Sequence, residues 1–112
     1  MKRKEFEEVV RASLDELPAW AIPLLTNVVV LVEDEDPAEP DLYGIYDGIP
    51  LTERYGGDPV EPAHVTVFRT PLVTDFGHDP AVLRAEIRKT ILHELAHHFG
   101  MDEDRLDELG YG

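Results

Sequence analysis

Residues 79–109, "DPAVLRAEIRKTILHELAHHFGMDEDRLDEL", decide how the chain is read. Asp79 suits an N-cap and Pro80 suits the first helical position, where a missing N–H costs nothing. Leu83, Ile87, Ile91, Leu95 and Phe99 then recur at four-residue steps, which makes one broad apolar stripe on a helix and marks those residues as core. Gly100 closes the run as the residue best able to take the left-handed conformation that ends helices. A short last helix is expected near 102–109.

The end of this long helix carries the chemistry. At 100° per residue His93 and His97 lie one turn apart on a shared face, and Glu94 falls beside them. That spacing aims two imidazoles at one ion and puts a carboxylate near a water the ion would hold, which is the mechanical content of HExxH. Two helical ligands leave one further protein ligand to be found. Gly100 would reverse the chain and return the next residues toward the ion, with Glu103 at the position that delivers a third ligand. Asp102 and Asp104 flank it, so the residues alone leave the choice among the three acids open. Acids opening a helix also complement its dipole without any metal, and that reading fits Asp102, Asp104 and Asp107.

The other three histidines read differently. His98 lies about 100° round the helix from His97, on a packing or surface face. His64 and His78 are isolated in the chain. Tyr43, Tyr46 and Tyr111 read as aromatic packing before they read as oxyanion donors.

Upstream, Phe6, Val9, Val10, Ser13, Leu14 and Leu17 step at helical spacing, so residues 2–17 are expected as an amphipathic helix ended by Pro18. "TNVVVLVED", 26–34, is β-branched and apolar on both sides, which predicts a central strand. "EDEDPAEPD" is loop. "LYGIYDGIPL" from 42 alternates weakly, and Gly44, Gly48 and Pro50 make it an edge strand over 42–49. Residues 52–63 read as loop, and "HVTVFRTPL", 64–72, as the third strand.

The whole chain has 112 residues, 43% apolar and 30% charged, which bounds it to one ordinary globular domain over 1–112. Its net charge of −14 opposes nucleic acid and anionic membrane as partners and favours cationic peptides or metal ions. With no cysteine, disulfides and thiolate ligands are excluded, so a metal must use His, Asp or Glu. No signal-peptide core or membrane-length apolar run is present, and a cytoplasmic protein is expected.

"HELAHHFGMDEDRLDELG", together with "LYGIYDGIPLTER", resembles the small bacterial zincin-like metallopeptidases, whose HExxHxxGxx followed by an acid or histidine is a metzincin-like pattern. The resemblance covers most of the chain from residue 42 onward. It implies an α+β fold in minimal zincin-like form, with an N-terminal helix, a small mixed three-stranded sheet, a long active-site helix and a short C-terminal helix. It further implies Zn2+ held by His93, His97 and Glu103, Glu94 as catalytic acid/base, and a peptide or protein substrate lying along the edge strand. The pattern departs from true metzincins in having an acid as third ligand and no Met-turn. A noncatalytic metal-binding or peptide-interaction module on the same scaffold is the alternative.

Overall fold

The computed structural model describes residues 1–47 and 62–109, except for the side chains of His98 and Glu103. Within it the sheet is organised by β3, Ala63–Phe68, which pairs parallel with β1, Val28–Glu33, and antiparallel with β2, Gly44–Asp47. The order is therefore β1-β3-β2. This corrects the expectation that residues 26–34 form the central strand. Two-sided apolarity signals a centre only when layers cover both faces. Here Val29 and Leu31 on the outer face of β1 remain 39% and 40% exposed, because the helices pack against the inner face alone.

That inner face is built by strict alternation. Ala63, Val65 and Val67 of β3 are buried, while His64 and Thr66 between them lie on the outer, half-exposed side. A helix at the chain's start, α1, Arg3–Asp15, brings Phe6 and Val10 into the same core. Its buried Ser13 donates its hydroxyl to the Val9 carbonyl at 2.8 Å, so no polar atom there is left unsatisfied. After Pro18 a 3₁₀ segment, Ala19–Leu25, carries the chain to β1.

The third strand was expected to reach residue 72, and instead it stops at Phe68, where α2, Arg69–Phe76, begins. Pro71 is compatible with this because it sits in the first turn, where N–H groups have no intrahelical acceptor. The segment has no apolar stripe that would announce a helix, yet it buries Pro71 and Leu72. The expected loop over 52–63 lies almost wholly outside the described residues, as do Tyr111 and the last part of the expected edge strand.

The long helix α3, Pro80–His98, forms as its sequence predicts. The Asp79 carboxylate accepts from the Ala81 and Val82 N–H groups, and Leu83, Ile87, Ile91 and Leu95 are fully buried against β3 and α1. Two arginines of α3, Arg84 and Arg88, tie it to Glu16 beyond the end of α1, at 3.0 and 2.9 Å. Gly100 takes φ +70°. The Met101 N–H then bonds the Ala96 carbonyl at 2.8 Å and the Gly100 N–H bonds that of His97 at 3.3 Å, a complete Schellman reversal. A short helix, α4, Glu103–Glu108, follows. Among the described residues no helix is long and apolar enough to cross a membrane.

Candidate metal centre

The last two turns of α3 hold His93, Glu94 and His97. The imidazoles of His93 and His97 lie with ring centroids 5.0 Å apart and planes at 72°, as one helical turn dictates. His97 is half exposed, and its Nδ1 lies 3.5 Å from a Glu94 carboxylate oxygen. Glu94 is much more enclosed, with its side chain only 16% exposed. Burial pushes its carboxyl above the ordinary range. The positive charge that His97 and His93 can carry, and a hydrogen bond donated by the Tyr46 backbone N–H, pull the other way and do not cancel it.

The Tyr46 N–H reaches Glu94 because of the pairing of β2 with β3. The Phe68 N–H donates to the Tyr43 carbonyl at 2.8 Å, so the Tyr43 main chain faces β3. Alternation then turns Ile45 and Asp47 toward β3 and leaves the N–H and C=O of Gly44 and Tyr46 on the outer edge. That edge borders a cleft of about 320 Å³ between β2 and α3, walled by Gly44, Thr90, His93 and Glu94 and flanked by Tyr43 and Lys89. The Tyr43 hydroxyl donates to Asp75 of α2, and its ring meets Phe76 at 5.4 Å. This hydrogen bond to a carboxylate, helped by burial and by the negative charges of Asp75, Glu86 and Asp41, pushes the Tyr43 phenol up to about 12.

The acids after Gly100 separate into roles. The Asp102 carboxylate accepts from the Arg105 N–H at 2.9 Å and is the N-cap of α4. Asp104 is exposed. Glu103 is the first residue of α4, and its side chain lies outside the described set. His64 is on the sheet face opposite α3, which takes it away from the centre, and His78 precedes α3 at the helix's far end. Among the described residues no three His, Asp or Glu side chains come together as a metal cage. The donor set still suits a borderline cation such as zinc: two imidazoles share a helix face beside a carboxylate, and the chain lacks the thiolates a softer ion prefers.

The model of a family described as zincin-like metallopeptidase matches residues 25–112. The chain belongs to the zincin-like metallopeptidase family. Its fold is also that of a conserved hypothetical protein from Thermus thermophilus, with 23% identity, 97% of each chain covered and a TM-score of 0.57. No curated protein sequence matches it. As a zincin-like chain it carries the family's mixed sheet against a long helix, and α1 lies outside the matched segment.

Two features of this zincin-like site, the Tyr46 N–H and Gly44, differ in how far the sequence announces them. The Tyr46 N–H is a backbone group and has no signature in the side-chain sequence. Gly44 did have one, since a glycine inside a strand pattern marks a close backbone approach as well as an edge.

Proposed function

We propose that the chain is a zinc-dependent peptidase in which His93, His97 and Glu103 hold the metal and Glu94 is the general base. The observation that carries this reading is the placement of His93, Glu94 and His97 on the final turns of α3, directly beside the edge of β2 that no described strand pairs with. When bound, zinc supplies Lewis acidity, which makes water a nucleophile near neutral pH and polarises the scissile carbonyl. Glu94 takes a proton from the attacking water and returns it to the leaving amine. The outward N–H and C=O of Gly44 pair with the main chain of an extended peptide and lay it across the cleft. With a net charge of −14, the protein favours peptides of basic character.

The test is incubation of zinc-loaded protein with a diverse peptide library, with fragments read by mass spectrometry. Glu94→Gln is expected to keep the metal and abolish cleavage. A fully active Glu94→Gln variant would end the assignment of Glu94. Peptides retained without any product would favour a noncatalytic binding module instead.

A further inference from the structure

Gly44 is where β2 crosses α3. A Cβ built there would lie 2.6 Å from Thr90 Cγ2, 3.1 Å from the Thr66 carbonyl oxygen and 3.7 Å from Glu94 Cγ. The first distance is below any real carbon–carbon contact, so a side chain at 44 must either turn Thr90 or lift the strand. Thr90 does not turn freely. Its hydroxyl donates to the Glu86 carbonyl at 2.8 Å, which fixes χ1 of a β-branched residue and points its methyl group at Gly44. The bare Cα of Gly44 is therefore what seats β2 on α3. Two residues on, the same strand directs the Tyr46 N–H outward onto the Glu94 carboxylate.

We propose that Gly44 is a positioning residue for Glu94: by resting against the Thr90 methyl it docks β2 so that the Tyr46 backbone N–H holds the carboxylate in place. The claim about catalysis rests on Glu94 being the general base, whereas the claim about positioning does not. One consequence concerns substrate: with the Tyr46 N–H engaged by Glu94, peptide pairing along this edge falls to Gly44.

Amide exchange read by NMR on the full-length, metal-free protein tests the positioning without any activity. The Tyr46 N–H faces away from β3 and donates to Glu94, so its protection includes that bond. It is expected to exchange slowly, and Glu94→Ala should speed it by about tenfold, as loss of a hydrogen bond allows. Gly44→Ala should do the same. Adding Thr90→Ser, which keeps the hydroxyl bond to Glu86 and deletes the methyl, should restore part of the protection, the contact with the Thr66 carbonyl preventing full recovery. Ile45→Ala, on the opposite face of the strand, should leave it unchanged.

Tyr46→Pro covers the case in which Gly44→Ala fails to fold. It removes the N–H while sparing every bond of the β2–β3 ladder, and an outward-facing edge position accepts proline. Measured against Tyr46→Ala on a cleaved peptide, it should lower kcat by about 10²-fold, the scale of a misplaced catalytic group, with zinc affinity unchanged. A Tyr46 amide that exchanges freely in the parent, or whose protection survives Glu94→Ala, overturns the proposal. If no peptide is cleaved, the function proposed above fails while the exchange data still decide this one.

Discussion

Burial raises the pKa of Glu94, so the metal-free protein binds a proton there that the unfolded chain has already released. By linkage, the stability associated with this group is present below the ordinary carboxylate range and is lost as pH rises through the folded value. Glu94→Gln, which is neutral at every pH and can still accept from the Tyr46 N–H, should therefore raise the denaturation midpoint of metal-free protein near neutral pH and have little effect in acid. Urea unfolding at the two pH values, with chelator present, checks this. The residue proposed as general base would then be one the fold would be more stable without. Tyr43 gives a second signature, at the alkaline end. With its phenol pushed up from 10.0 to about 12 by Asp75, the folded state keeps a proton that the unfolded state loses across that window. Stability is full below the lower value and falls as pH rises toward the upper. Ultraviolet titration should show a tyrosine ionising late, and Tyr43→Phe should remove that step.

The end of α3 allows the acids beyond it to be told apart. Gly100 has φ +70° and nothing within 4 Å of where a Cβ would sit, so any penalty there is purely conformational. Gly100→Ala is expected to cost about 1–2 kcal/mol, and Gly100→Asn less, by urea denaturation. Asp102→Ala should cost about 1 kcal/mol through loss of the α4 cap, with little change in zinc affinity. Glu103→Ala should do the reverse, with a loss in competitive chelator titration beyond the roughly 10- to 100-fold of outer-shell changes. Equal, small losses for Asp102, Glu103 and Asp104 would sink Glu103 as a ligand. This helix was also the most legible element in the sequence, because its start signal, apolar stripe and stop signal agree with one another. The stretch after β3 was the least legible. "RTPLVTDF" has no periodicity to distinguish a helix from the tail of a strand, and only tertiary packing of Pro71 and Leu72 settles it. The histidines and Glu94 could be read from spacing, whereas the backbone donor that holds Glu94 could not.

Across the whole molecule, the site depends on parts that contribute nothing to its chemistry. The α1 helix lies outside the segment that matches the family, yet Phe6 is fully buried in the core that supports α3. Phe6→Ala should destabilise the fold by about 3–5 kcal/mol, measured by urea denaturation, although the residue is not itself a candidate ligand. The misjudged strand order is a lesson at the same scale. A strand's composition reports how apolar its two faces are, while its place in a sheet depends on which partner bridges the others, and here β3 bridges both. That order also bears on how the protein is made. A chain growing from its N-terminus extrudes β1 and β2 first, and neither pairs with the other in the finished sheet. No native pairing among the described strands is possible until β3 has left the ribosome, so β1, with its apolar outer face, waits for that partner until then. Sheet assembly is thus delayed until shortly before α3 is made, and the histidines that would bind a metal emerge onto a scaffold that has only just become able to close.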